Sequence, residues 1–191
     1  EFLRRWLPFE PGDPFSVNAI AEVTQNLRNS GYFTSVRVVP QRDDRYGTSV
    51  PVRVTLVKKE DNLVGIGIGY STDIDSPRLS LSWEKPLINR RGHSAEADVE
   101  LSKPRQSLGL GYRIPRRDQP LTNYWGLEVG VLHEDFDESE TETLKSTLNL
   151  QHVTLTEHDF TRSLFVRWER EESTVAGVED ITDLVLPGVS Y

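Results

Sequence analysis

The stretch that decides the fold of this chain is Asn62-Leu-Val-Gly-Ile-Gly-Ile-Gly-Tyr70. Side chains of an extended chain alternate between two faces, so its apolar residues lie on one face and its glycines on the other. Glycine inside a strand costs backbone entropy and offers nothing to pack, which predicts a weakly held strand or the close approach of a neighbour. An ordinary sandwich strand with a crowded neighbour would fit the same residues. The dinucleotide-binding motif GxGxxG is excluded, because it opens a helix and strand-forming residues follow here.

The composition excludes several classes of protein. The chain has 191 residues, with 22 Lys and Arg against 30 Asp and Glu, and a net charge of -8. This balance disfavours nucleic acid as a partner, since phosphates require clustered cationic side chains. No apolar run reaches the roughly 20 residues of a membrane-spanning helix, whereas alternating barrel strands are compatible with the mean hydropathy of -0.49. The absence of cysteine excludes disulfides and thiol chemistry.

The first sixty residues are predicted to form a small α+β domain, over 1–60. Pro8 and the turn-rich segment 11–14 end a first helix, and Ser16 is a suitable N-cap for a second helix. Gly31 follows as a stop signal. The predicted elements are helices over Phe2–Leu7 and Val17–Asn29 and strands over Tyr32–Val39 and Val50–Val57.

This segment resembles a POTRA domain. The resemblance rests on Pro11-Gly-Asp-Pro-Phe-Ser16, the helix after it, and Leu27-Arg-Asn-Ser-Gly-Tyr-Phe-Thr-Ser-Val36. POTRA domains are periplasmic modules with the order strand, helix, helix, strand, strand. The resemblance implies a first strand upstream of Glu1, and the missing Met and signal peptide lead us to expect an excised piece of a longer protein. Another small α+β domain is the alternative.

From residue 61 onward the sequence is almost purely strand-forming, and a second domain is expected over 61–191. Apolar residues alternate with polar residues or glycine in successive segments, at the length that a membrane barrel uses. About eight segments follow this pattern, over 62–70, 78–84, 94–102, 108–114, 125–131, 144–151, 163–169 and 185–191. The last segment stops in what looks like mid-strand.

Alternation alone leaves two architectures open. In a soluble sandwich the polar face lies in water, whereas in a membrane barrel it lines a wet lumen and the apolar face meets lipid. Glu96, Asp98 and Glu100 would repel one another on one face unless they are solvated or matched by Arg78 and Arg113 on neighbouring strands. A soluble β-sandwich or lipocalin-like binding module is therefore the alternative.

The connections between strands favour the barrel. If the strands run up and down, alternate loops lie at the near end, where the N-terminal domain joins the sheet, and at the opposite far end. The near-end loops are basic and contain 89–93 and 113–117. The far-end loops lengthen toward the C-terminus, as on the outside of a bacterial barrel, and we expect them to meet divalent cations held by surface glycolipid. Their acidic residues are Asp73, Asp75, Asp135, Asp137, Glu138, Glu140, Glu142, Glu171, Glu172, Glu179, Asp180 and Asp183.

The whole chain resembles the outer-membrane protein assembly and translocation superfamily of the BamA and TamA type, and is most similar to TamA. The resemblance rests on the POTRA-like segment leading into the Gly-rich strand, the turn 83–93, and Tyr112-Arg-Ile-Pro115 at the end of the fourth strand. It implies an antiparallel transmembrane β-barrel of 16 strands. This chain would supply its first half, behind the last POTRA domain. The family's lid loop with an Arg-Gly-Phe type motif lies in the second half.

The resemblance also implies a function and partners. In this superfamily, substrate strands are thought to pair with the first barrel strand when a lateral seam opens. That role falls on Asn62, Leu63, Val64, Gly65, Ile66, Gly67, Ile68, Gly69 and Tyr70. Expected partners are unfolded outer-membrane protein or autotransporter substrates, membrane lipid and lipopolysaccharide, and a TamB-like periplasmic protein. The strand edge offered to the TamB-like protein contains Tyr32, Phe33, Val36 and Val38. The implied location is the bacterial outer membrane, with the POTRA domain in the periplasm.

No residue pattern indicates catalysis, a cofactor or a metal. The four histidines are scattered, without Glu or Cys at zinc-site spacing. Asp135 begins a stretch like a calcium loop, but Glu140 stands where glycine is needed and Ser146 where a bidentate Glu is needed. Neither a GxSxG motif nor a local Ser/His/Asp set is present. We therefore expect a non-enzymatic protein.

Overall fold

The computed structural model describes residues 3–41, 47, 49–72, 76–116, 120, 122–136, 141–156 and 160–191. Several residues of the predicted elements and loops lie outside these ranges. They are Phe2, Asp73, Asp75, Arg117, Asp137, Glu138 and Glu140.

The N-terminal domain has the predicted order of elements. A 3-10 helix over Leu3–Trp6 precedes helix α1 (Val17–Asn29), which is followed by strands β1 (Phe33–Pro40) and β2 (Val52–Lys58). The Ser16 hydroxyl accepts a hydrogen bond from the Ala19 amide at 3.4 Å, so it caps α1 as predicted. The first helix is a single 3-10 turn, shorter than expected.

The hydrophobic core of the molecule lies in this domain. Strands β1 and β2 pair antiparallel, and α1 packs on β1. The buried residues are Trp6, Val23, Leu27, Tyr32 and Val36, and Leu87 of the second domain packs against them. The Trp6 and Tyr32 rings meet edge to face with their centroids 5.9 Å apart. The core therefore holds the N-terminal domain together and also contacts the sheet domain.

The second domain is one antiparallel sheet of eight strands, each paired with its sequence neighbours. Strands β3 and β10 form its two edges and are not paired with each other. The bounds are β3 (Leu63–Ser71), β4 (Ser76–Lys85), β5 (Ser94–Ser102), β6 (Arg105–Pro115), β7 (Tyr124–Phe136), β8 (Thr141–Leu155), β9 (Thr161–Val175) and β10 (Val178–Ser190). The number of strands agrees with the sequence prediction.

The two faces of the sheet differ in chemistry, and the apolar face is exposed. On β7, for example, Leu127 and Val131 are 42% and 39% exposed. The polar face lines a cavity of about 840 Å³ that is bordered by residues of β3 to β8, including Asp98 and Lys145. Among the described residues, Val153 and Pro115 are the only aliphatic or aromatic side chains of these strands that are buried. In the part of the chain that the structure describes, no second sheet covers the apolar face, so a sandwich is the wrong architecture and the sheet is a partial β-barrel.

Those far-end acidic residues that the structure describes lie in strands, which corrects the loop prediction for them. Glu171 and Glu172 belong to β9, and Glu179, Asp180 and Asp183 to β10. Asp135 lies near the end of β7, and Glu142 lies near the start of β8. Strands β9 and β10 are joined by Ala176 and Gly177 alone, whose φ angles of +50° and +80° fit the tight turn that two-residue hairpins favour. Where the hairpin of β9 and β10 has solvent on both faces, apolar residues need not alternate, so its sequence pattern is typical of a loop.

Two further corrections concern the sorting of charge by end. Arg113, Ile114 and Pro115 end β6, as in the predicted fourth strand, so within the basic segment 113–117 only Arg116 is described beyond the strand. At the far end, Lys103 and Arg105 are basic, and the Arg105 guanidinium lies 3.5 Å from the Glu134 carboxylate. The separation of acidic and basic residues is therefore less complete than the sequence suggested.

Candidate functional site

The candidate site is the open edge of β3, the Gly-rich strand. Within the described residues, β3 pairs with β4 alone, so the backbone groups along its other edge have no strand partner. In the register, Gly65 faces Ser82, Gly67 faces Ser80 and Gly69 faces Arg78. An unpaired edge of this kind presents N–H and C=O groups that can bind another strand.

The apolar side chains of β3 are more exposed than those of its neighbour β4. Val64, Ile66 and Ile68 are 69%, 72% and 87% exposed, whereas Leu79 and Leu81 on β4 are 36% and 38% exposed. The difference arises because β3 has a neighbour on one side only. A second strand paired to the open edge would cover these side chains, as β3 covers those of β4.

The glycine face of β3 lies close to two serines. A Cβ at Gly65 would come within 2.5 Å of the Ser82 hydroxyl oxygen, and a Cβ at Gly67 would overlap the Ser80 hydroxyl. At Gly69 the same position has no atom within 4 Å. The glycines therefore permit a close approach at two positions and leave open space at the third. This face has few side-chain contacts that could stiffen the strand.

The near end of β3 is anchored through polar contacts that sequence patterns did not reveal. The Trp83 indole donates to the Asn62 side-chain oxygen at 3.2 Å, and the Lys59 ammonium lies 3.4 Å from the Glu84 carboxylate. Lys58 forms an ion pair with Asp61, and this hydrogen bond lowers the pKa of the Asp61 carboxyl. Side-chain contacts thus hold residues 58–62 at the near end of β3, whereas backbone pairing with β4 holds the Gly-rich part.

The Tyr32 hydroxyl joins the two domains directly. It donates a buried hydrogen bond of 2.7 Å to the carbonyl of Gly92, in the connection between β4 and β5. Because the two residues are 60 positions apart in sequence, no local pattern could have predicted the contact. Tyr32 thereby fixes the near end of the sheet against the N-terminal core.

The side chains of the strand edge predicted to bind a partner pack against the core of the N-terminal domain. Tyr32 and Val36 are 7% and 6% exposed, and Phe33 and Val38 pack against the same core. Tyr32 and Val36 are thus covered by the core, whereas Phe33 and Val38 are half-buried and keep part of their surface accessible. The backbone of β1 on the side away from β2 has no strand partner among the described residues, so only the edge itself is available.

Acidic side chains on the polar face are only partly matched by cations. Arg78 lies 3.6 Å from Glu100, and Lys145 lies 3.0 Å from Glu169. Arg113, predicted to match the acidic residues of β5, instead lies over the Tyr124 ring at 4.5 Å. Within the described ranges, no group of three or more His, Cys, Asp or Glu side chains could hold a metal ion.

None of the helices in the described part of the chain is long and apolar enough to cross a membrane.

Comparison with known proteins agrees with this architecture. Residues 1–59 match the POTRA family, described as a surface antigen variable number repeat. The chain is similar in fold to BamA from Haemophilus ducreyi lacking POTRA domains 1–3, with a TM-score of 0.72 and 11% identity over 98% of this chain. It is also similar to CdiB from Acinetobacter baumannii, with a TM-score of 0.58 and 14% identity over 98% of this chain. It spans 40% and 39% of those two chains, and at these identities the similarity concerns the fold. The chain thus has the fold of a POTRA domain followed by a partial β-barrel.

Proposed function

We propose that this chain is part of an outer-membrane protein assembly and translocation factor of the BamA and TamA type, in which the open edge of β3 templates substrate strands. The observation that carries the proposal is the combination found at β3: an edge without a strand partner among the described residues, exposed apolar side chains and a glycine face. Backbone hydrogen bonds give affinity in strand addition without requiring a fixed side-chain sequence. Such an edge suits substrates that differ in sequence and share only the strand conformation.

The apolar face of the sheet supports a membrane location. Exposed contiguous apolar surface of this kind is unfavourable in water. In a lipid bilayer the same face is stabilised, while the polar face lines an aqueous lumen. The chain would then lie in the bacterial outer membrane, with its POTRA domain in the periplasm at the near end.

The finer assignments concern partners. Similarity of the sequence to TamA suggests autotransporters among the substrates and a TamB-like protein at the open edge of β1. Because the β1 side chains Tyr32 and Val36 are buried, that partner would bind through backbone hydrogen bonds. The acidic far ends of β9 and β10 would meet lipopolysaccharide through its divalent cations. We propose no catalytic activity and no cofactor.

Cysteine cross-linking along β3 tests the templating role. The chain has no native cysteine, so single cysteines can be placed in turn at Val64, Gly65, Ile66, Gly67 and Ile68. A substrate with one cysteine in its terminal strand should form a disulfide mainly with the single position directly opposite it, because a paired strand has a fixed register. The same scan from Leu108 to Leu110 on β6 is the control, since both edges of β6 are paired. Equal cross-linking of β3 and β6 would refute templating at this edge.

A further inference from the structure

The connection between β4 and β5 is a rigid turn. The Asn89 side-chain oxygen accepts hydrogen bonds from the amides of Arg91 and His93 at 2.9 and 3.4 Å. The Ile88 amide donates to the His93 carbonyl at 2.7 Å, and Gly92 adopts a φ of +86°. The Tyr32 hydroxyl holds the Gly92 carbonyl from the other domain. These hydrogen bonds therefore fix the backbone of the turn.

Two contacts place this turn at the near boundary of the apolar face. His93 Nδ1 lies 2.8 Å from the Tyr112 hydroxyl, and the two rings meet edge to face. Tyr112 alternates in phase with Leu108 and Leu110, so it belongs to the apolar face, near the end of β6. An aromatic residue with a polar tip at that position is typical of the interface between hydrocarbon and headgroups.

Basic residues cluster at the same boundary. Arg90 and Arg91 are exposed on the turn, beside Ile88, which is 37% exposed. Lys85 is the last residue of β4 and alternates in phase with Leu81 and Trp83, so it also lies on the apolar face. Its long stem can remain in an apolar layer while the ammonium reaches the headgroups. Cations, aromatic rings and an exposed isoleucine thus share one edge of the apolar face.

We propose that residues 85–93 form a docking surface for anionic phospholipid headgroups in the membrane leaflet at the near end. The phosphodiester of such a lipid complements Arg90, Arg91 and Lys85, while its acyl chains complement the apolar face between Trp83 and Tyr112. The far boundary of this face has a different character, because Asp183 and Glu172 surround Arg170 there. Carboxylates thus partner the cation at this part of the far boundary, whereas the near boundary presents Lys85, Arg90 and Arg91.

The inference depends on membrane insertion of the barrel, which is part of the proposed function. The full chain is reconstituted in phosphatidylcholine vesicles, and insertion is measured separately as protein that stays with the vesicles after an alkaline wash. Spin-labelled phosphatidylglycerol and phosphatidylcholine then report which lipid the protein prefers. We expect a preference for phosphatidylglycerol that weakens with added salt, because exposed charges are screened.

In the double variant R90Q/R91Q, the preference for phosphatidylglycerol should fall by up to about five-fold for each arginine removed. The matched control is R28Q/R37Q, which removes two exposed arginines of the N-terminal domain and the same net charge. A preference that is unchanged in R90Q/R91Q, or equally reduced in the control, overturns the docking surface while insertion stands. A wild-type chain that fails to insert overturns the membrane location and the docking surface together.

Discussion

The glycines of β3 provide the sharpest test of how the edge works. Gly69→Val introduces a side chain at a position with no atom within 4 Å, so it adds no steric clash. Relieving the backbone entropy of a strand glycine stabilises the strand by about 0.5–1 kcal/mol. The β-branched side chain adds to this, within a propensity range of about 1 kcal/mol. We therefore expect Gly69→Val to stabilise the extended, paired form of β3 by about 1 kcal/mol.

If separation of β3 from the strand paired to its open edge limits substrate assembly, the rate of assembly should fall about five-fold in Gly69→Val. In the double variant Gly67→Val/Gly69→Val the rate should fall about thirty-fold, provided that the Ser80 hydroxyl rotates away from the new side chain. The assay is the time course of substrate folding in vesicles that contain the full chain. Gly109→Val is the matched control, since Gly109 also has open space around it but lies on the inner strand β6. Unchanged rates in both β3 variants, or an equal loss in the control, would refute the reasoning.

Three further predictions concern the contact between the two domains, the apolar face of the sheet and an ion pair before β3. Tyr32→Phe keeps the ring in the core but removes the donor to the Gly92 carbonyl; it should cost about 1 kcal/mol and speed hydrogen exchange in residues 88–93, and unchanged exchange would contradict the link. Leu148→Arg on the apolar face of β8 should destabilise the sheet in a bilayer by about 2–4 kcal/mol, measured by urea unfolding in vesicles, while Thr147→Arg on the polar face should cost much less. Lys58 lowers the pKa of Asp61, so the ion pair stabilises the folded chain at pH values above the ordinary pKa of 3.8. This contribution is lost as the pH falls through the lower pKa of the folded state. The drop in melting temperature on acidification should therefore be smaller in Asp61→Asn than in the wild type, and an equal drop would argue against the pair.

Local patterns predicted much of the fold because their physical causes are local. Ser16 followed by apolar residues at helical spacing predicted α1 over Val17–Asn29, and the structure has the same bounds. Alternation predicted the eight strands, since each inner strand has one apolar and one polar face. The edge position of β3 agreed with the placement of the Gly-rich stretch at the start of the sheet.

Features that depend on distant residues or on solvent could not be predicted in the same way. The far parts of β9 and β10 carry charges on both faces, so Glu171 and Asp183 resembled loop residues. Tyr32 fits an alternating strand edge, yet its burial depends on Trp6 and Gly92. The approach of Ser80 to Gly67 depends on the register between β3 and β4. None of these partners is fixed by spacing along the chain.

The orientation of the sheet in a bilayer underlies every proposal above, and cysteine accessibility along β7 measures it most directly. Because the chain has no cysteine of its own, single cysteines at consecutive positions from Leu127 to Val131 can be treated with a membrane-impermeant maleimide after insertion into vesicles. We predict labelling at Glu128 and Gly130, which alternate onto the polar face, and protection at Leu127, Val129 and Val131, which would face hydrocarbon. Uniform labelling of all five positions would contradict a membrane-facing apolar surface.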